Sequence, residues 1–191
     1  MTDSSKNLVN FFFELGLMKK FEHCGTKFAG IKHPDSLADH TARAAQIGLM
    51  LAFCEGGNAE HVSLMCVFHD IGEIRVGDAH RIAMRYIKMQ PGEKNAMLEQ
   101  TEPLPPEIRE KIRSLWLEFH EQKTTDSHIA RDADLLETMF EAKEHLDNGY
   151  KAAERWLENG SKVLKTKSAK ALYKRMKTTH FAQWWDELNT V

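Results

Sequence analysis

The sequence predicts an all-α fold arranged as a single-domain helical bundle. Three observations carry this expectation. Apolar residues recur at helical spacing along several stretches of the 191-residue chain. No run alternates with a period of two, and hairpin signals are missing. Capping residues, glycines and prolines divide the chain into roughly eight helical segments.

The elements follow in order. Residues 4–20 read as an amphipathic helix, with Leu8, Phe11, Phe12 and Leu15 on one stripe. Gly25, Gly30 and Pro34 make residues 21–35 a loop. Ser36 is a candidate N-cap, and Asp39 stands three positions on, in near capping-box spacing. The helix that follows runs to about residue 54, with the stripe Leu37, His40, Ala44, Ile47 and Leu51. After the turn Glu55–Asn58, a helix over about 58–70 puts Val62, Met65, Cys66 and His69 on its inner face. Residues 79–89 read as a helical stretch that Pro91-Gly92 interrupts, with 92–100 helical beyond it. Pro106 suits the first turn of a helix over about 105–120, carrying Ile108, Ile112, Leu115 and Phe119. A long helix covers about 125–147, with the stripe Ile129, Ala133, Leu136 and Phe140, and Asn148-Gly149 ends it. Further helices are expected over about 150–159, 167–178 and 181–188.

Composition narrows the function classes. The net charge of −2 supplies no basic field for nucleic acid. No 18-residue apolar run exists to span a membrane, and the first six residues lack the pattern of a signal peptide. Cys24, Cys54 and Cys66 are odd in number and have no zinc-knuckle spacing, which fits a reducing cytoplasm. Residues 150–180 hold 9 Lys/Arg against 2 acids, and we read this as a solvated helix surface. Trp116 and the Trp184-Trp185 pair read as packing or interface residues, and Cys66 as a small core residue.

The chemistry concentrates in Val67–Asp78. There His69-Asp70 closes a helix, and Glu73 and Asp78 follow in a loop. His40 and His69 both point inward from consecutive helices. Imidazole nitrogen and carboxylate oxygen suit a divalent transition metal, so His40, His69 and Asp70 form three candidate ligands. Each histidine taken alone also fits a hydrogen-bonded core residue. Asp134 lies beside Glu137 and Glu141 at the edge of its apolar stripe, which periodicity reads as a solvated acidic face. His33, His61, His120, His128, His145 and His180 show no paired spacing.

His40, then His69-Asp70, then Asp134 resembles the H…HD…D signature of the HD-domain superfamily. His69-Asp70-Ile71-Gly72-Glu73 with Val76-Gly77-Asp78 resembles its 5′-deoxynucleotidase branch, as do Pro34–His40 and Leu115–Phe119. The resemblance covers a core of about residues 8–147, leaving about 150–191 as a helical extension. It implies one divalent metal, Mn, Co, Zn, Fe or Ni, held by His40, His69, Asp70 and Asp134. It implies removal of phosphate from deoxynucleoside 5′-monophosphates, with Glu73 and Asp78 serving catalysis and substrate binding. The branch is commonly dimeric, so a homodimer is expected.

One segment departs from that family. Its Arg-x-Gly-Trp segment, whose Arg contacts the substrate phosphate, corresponds here to His23-Cys24-Gly25-Thr26. A phosphate still requires cationic donors, and His23, Lys27 and Arg81 are the candidates. The departure keeps a second enzyme reading open, an HD phosphohydrolase acting on another nucleotide or a phosphodiester. A non-catalytic helical module with a structural metal is the rival from a different class.

Overall fold

Three helices position the site, and their caps explain where they begin. The computed structural model describes residues 4–186 and 188. Helix α1 spans Ser4–Leu15 and α2 spans Leu37–Glu55. At the start of α2 the Asp39 amide donates to Ser36 Oγ at 3.2 Å, and the Ser36 amide donates to Asp39 Oδ2 at 3.0 Å, a complete capping box. Helix α3 is Ala59–Phe68, capped by Asn58, whose Oδ1 accepts from the His61 amide at 3.1 Å. Next come α4, Glu73–Val76, α5, Gln90–Thr101, and α6, Pro106–Glu121. Helix α7, Thr125–Asp147, opens on a second capping box, Thr124 with Ser127, and Gly149 follows its end at φ 96°. The chain finishes with α8, Glu154–Leu157, α9, Gly160–Val163, α10, Lys167–Thr178, and α11, Gln183–Asp186. Among the described residues the only β-type pairing is an isolated bridge between Glu22 and Ser36.

Small residues let α2, α3 and α7 approach closely. A Cβ added at Gly48 of α2 would lie 3.0 Å from Cys66 Sγ on α3 and 3.5 Å from the Ala133 Cβ on α7. Ala44, Ala52, Ala130 and Ala133 are fully buried at the same junction. Helices α2 and α7 run antiparallel, since His40 meets Glu137 while Asn58, just past α2, meets Asp126. A second cluster, including Phe11, Ile71, Met97 and Trp116, joins α1, α5 and α6. Ile74 sits with Met18 and Leu37 in a third. Ile71 and Ile74 therefore anchor the acid-bearing turn on two sides.

Several expectations need correction. Residues 79–89 form only a 3-10 turn, Ala83–Arg85. Ile82, Met84, Tyr86 and Ile87 are exposed, so no buried face holds a longer helix there. Pro91 does not interrupt a helix; it stands in the first turn of α5, where its missing N–H costs nothing. Phe12 and Ile108 are exposed rather than on the buried stripes. Residues 150–159 split into a 3-10 turn, Lys151–Ala153, and α8. The last expected helix shortens to α11, and Glu187 within that expectation lies outside the described residues.

The segment after residue 150 is integral to the packing. Ala153, Leu157, Leu164, Ala169, Tyr173 and Met176 belong to the same buried cluster as α2, α3 and α7. Asp132, fully buried on α7, accepts from the backbone amides of Lys165 at 2.9 Å and Thr166 at 2.7 Å, which fixes the entry to α10. Trp116 is buried, whereas Trp184 and Trp185 are exposed and meet edge to face at 5.7 Å. Among the described residues no helix is long and apolar enough to cross a membrane.

Candidate metal centre

His40 comes from the first turn of α2, His69 and Asp70 from the turn after α3, and Asp134 from the middle of α7. The tertiary fold brings these four residues together. His40 Nε2 lies 3.3 Å from His69 Nε2, 3.3 Å from Asp134 Oδ1 and 3.6 Å from Asp70 Oδ2. His69 Nε2 lies 2.9 Å from Asp70 Oδ2 and 3.8 Å from Asp134 Oδ1. Both histidines are buried, as their positions on apolar stripes lead one to expect.

Each imidazole is tied through its other nitrogen. His69 Nδ1 donates to the Cys66 carbonyl at 2.7 Å; a carbonyl only accepts, so the proton sits on Nδ1. His40 Nδ1 faces the Glu137 carboxylate, which also accepts from Arg43 Nε at 2.9 Å. Arg43 then reaches Glu144 at 2.7 Å. These partners turn both Nε2 atoms toward the centre. Glu137 and Arg43 were not legible as partners; their one sequence signal is that each stands three residues after a site residue, Asp134 and His40.

The acidic face expected to be solvated is not. Glu137 and Glu141 are each 1% exposed. Glu137 is neutralised by His40 and Arg43, while Glu141 lies 3.5 Å from His23 Nδ1 and 3.4 Å from His145 Nε2. Periodicity cannot separate a solvated acid from one buried against cations on another helix. His120 also has a partner: its Nε2 donates to the His69 carbonyl at 3.3 Å, and its ring meets Trp116 at 3.8 Å.

The charges divide the acids into two kinds. Burial opposes the imidazolium of His69, but Asp70 and Asp134 outweigh it and push its pKa up to about 9. The same balance raises His40, where Asp134 and Glu137 outweigh burial. Burial works against the Asp134 carboxylate, yet Arg131 and the two histidines hold it well below the usual range. Glu73 goes the other way: burial, then the negative charges of Asp70, Asp78 and Glu93, raise it well above an ordinary glutamate. Its Oε2 is buried without a hydrogen-bond partner among the described residues.

This donor set fits a divalent metal. Ligand atoms of His40, His69 and Asp134 all lie within 4.8 Å of one another, and Asp70 joins through the distances above. A second group, His23, His40 and Glu137, also clusters. There the His40 Nδ1 and the Glu137 carboxylate are already committed to each other and to Arg43, so it is the poorer candidate.

Asp78 connects the centre to the loop that departs from the expected pattern. The Cys24 amide donates to Asp78 Oδ2 at 2.5 Å. His23 stacks on His40, with centroids 4.4 Å apart and planes at 26°. His23, Asp78 and Arg81 line a cavity of about 440 Å³ that opens beside the centre. Lys27 does not line it; it pairs with Glu22 on the outside of the loop. Residues of the C-terminal segment complete the wall, Arg155 and Trp156 among them.

A family model for the HD domain matches residues 16–177 of this chain, which extends past the core read from sequence. The 5′-deoxynucleotidase HDDC2 of Dictyostelium discoideum is 32% identical over 148 residues, covering 73% of this chain and 77% of that protein. The human 5′-deoxynucleotidase HDDC2 is 25% identical over 150 residues, covering 77% and 72%. The 5′-deoxynucleotidase hdd1 of Schizosaccharomyces pombe is 29% identical over 149 residues, covering 74% and 73%. Among solved structures, a conserved hypothetical protein from Pyrococcus furiosus superposes with a TM-score of 0.75 at 22% identity, covering 90% of this chain and 99% of that one. A chain from Magnetospirillum magnetotacticum named predicted metal-dependent phosphohydrolase gives 0.71 at 20% identity, covering 91% of each. At these identities the two structures speak to the fold alone.

Proposed function

This chain belongs to the HD domain family, and on that premise we propose that it is a divalent-metal-dependent phosphohydrolase that removes phosphate from deoxynucleoside 5′-monophosphates. The observation that supports this most is the convergence of His40, His69, Asp70 and Asp134 on one point beside the unpartnered Glu73 carboxyl. Relatives named 5′-deoxynucleotidases match most of the chain.

His40, His69, Asp70 and Asp134 would hold the metal, and two imidazoles with two carboxylates suit Mn, Fe, Co, Ni or Zn. A divalent ion there supplies a Lewis acid for the phosphoryl oxygen and lowers the pKa of a nearby water. The protein's own groups do the rest. Glu73, raised by burial and by neighbouring acids, is suited to hold or release a proton at Oε2. Asp78 keeps one oxygen on the Cys24 amide and presents its carboxyl to the cavity, where it would meet the sugar hydroxyl or the leaving oxygen. His23, beside His40 at the cavity's inner end, is suited to meet the phosphate, with Arg81 at the rim.

We also propose that the whole chain is one domain, since residues beyond 150 share its main buried cluster. Exposed Phe12, Phe13, Trp184 and Trp185 support association into a homodimer. Three unpaired cysteines support a cytoplasmic setting.

Metal analysis combined with a nucleotide phosphatase panel tests the reading. The expected result is stoichiometric divalent metal and phosphate release from a deoxynucleoside monophosphate, with both lost in Asp70→Ala. Native protein that is metal-free and resists reconstitution would overturn it. A metal-loaded protein inert across mono-, di- and triphosphates and cyclic nucleotides would favour a structural metal instead.

A further inference from the structure

We propose that the cavity beside the metal centre is a nucleobase pocket that prefers carbonyl-edged bases, guanine and thymine, over the amino-edged bases adenine and cytosine. The inference rests on the nucleotidase reading and adds to it the part of the substrate that is recognised. At about 440 Å³ the cavity has the size of a small-ligand pocket. His23 and Asp78 stand at the end nearest the metal centre, so a nucleotide with its phosphate there extends its base outward.

The walls suit a base plane. Trp156, half-buried and packed against the main cluster, faces the cavity from the C-terminal segment, and Phe28 faces it from the loop after His23. His80 holds Phe28 edge to face at 4.6 Å, and its Nδ1 accepts from the Ala83 amide at 3.1 Å, which fixes the ring. Aromatic walls accept any base face, so they supply affinity without choosing among bases.

The polar groups choose. Arg155, which the phosphate does not use, lines the cavity from the C-terminal segment, is exposed, and forms no ion pair among the described residues. The Asn159 carbonyl oxygen accepts from Lys162 at 3.2 Å, leaving its NH₂ group as the free end. The Thr138 hydroxyl donates its proton to the Asp134 carbonyl at 3.4 Å and keeps only acceptor capacity. One Asp78 oxygen is taken by Cys24. Away from Asp78 and Thr138, the Arg155 guanidinium and the Asn159 NH₂ group therefore give the wall formed by the C-terminal segment a donor character. Such donors pair with O6 of guanine or O4 of thymine, where adenine and cytosine carry the N6 and N4 amino groups, which are themselves donors.

Two measurements on the metal-loaded protein test this. In the first, kcat/KM is compared for dGMP, dTMP, dAMP, dCMP and base-less deoxyribose 5-phosphate. The expected preference for dGMP and dTMP over their amino-edged counterparts is about tenfold or more. Arg155→Ala, at an exposed position, should narrow that preference, and Trp156→Phe should narrow the advantage of nucleotides over deoxyribose 5-phosphate. Equal values for all four bases, unchanged in Arg155→Ala, overturn the proposal while leaving the phosphohydrolase reading intact. In the second, deoxyguanosine and deoxyadenosine, which carry no phosphate, are titrated by calorimetry. Tighter deoxyguanosine binding that Arg155→Ala weakens supports the pocket even in a protein inert toward every phosphate ester; no binding of either nucleoside overturns it.

Discussion

His40 Nδ1 and the Glu137 carboxylate face each other across the buried contact between α2 and α7, and Arg43 closes the pair from the side. Glu137 thus orients a proposed ligand without being one: it fixes which His40 nitrogen carries the proton and which faces Asp134 and His69. Glu137→Gln keeps the shape but weakens this hold. Metal affinity should fall about 10–100-fold, read by competition with a chelating dye, with the helical circular dichroism retained. Unchanged affinity would mean that packing alone orients His40.

Glu73 separates a catalyst from a metal-tied scaffold. It stands at the start of α4, out of the proposed ligand set, with a buried and unpartnered Oε2. Glu73→Gln should leave metal content unchanged and lower kcat about 10²–10⁴-fold. Loss of metal in this variant would place Glu73 among the ligands instead.

Gly72 is required by proximity and not by backbone conformation. Its φ of −63° suits any residue, but a Cβ there would overlap the backbone carbonyl of Glu93 in α5. Backbone cannot swing aside as a flexible side chain can. Gly72→Ala should destabilise the protein by about 1–3 kcal/mol and also lower activity, since Glu93 and the acid turn shift together. Urea denaturation alongside phosphate release checks both; a neutral variant would show that α5 is free to move.

Asp132 joins the C-terminal segment to α7. Removing this fully buried carboxylate leaves the part-buried amides of Lys165 and Thr166 without their acceptor. Asp132→Ala should cost about 1–3 kcal/mol, and amide exchange should rise first in α10. Exchange that rises uniformly would contradict a local cap.

The Glu14 ion pair predicts a pH dependence. Burial raises the Glu14 pKa, but hydrogen bonds from Arg75 and Gln100, with the Arg75 charge, outweigh it and leave it lowered. A depressed folded-state pKa contributes stability that is present above the ordinary glutamate value and lost as pH falls through the folded value. Glu14→Gln should therefore be less stable than the wild type at pH 7, and the two should converge under acid. Denaturant midpoints at neutral and acidic pH measure this; a gap that persists in acid would assign the effect to packing.

Much of the architecture was legible because it is written locally. The capping box read at Ser36–Asp39 lies within one turn of chain. Residues 79–89 misled because Ile82, Met84 and Ile87 carry apolar content with no neighbouring surface to cover it. Hydropathy records what a residue is and not what packs against it.

The sequence by itself determined the long helices, the inward turn of His40 and His69, and the acid-bearing turn that follows them, since each depends on residues within a few positions. The resemblance then pointed to Asp134. Only the tertiary structure decided that Glu137 and Glu141 are buried partners, that Arg43 neutralises one of them, and that Trp156 and Arg155 wall the cavity. These relationships join residues far apart in the chain. A buried charge is tolerated where a counterpart meets it, and periodicity along one helix carries no record of a counterpart that arrives from elsewhere in the chain, as Arg43 and His23 do here.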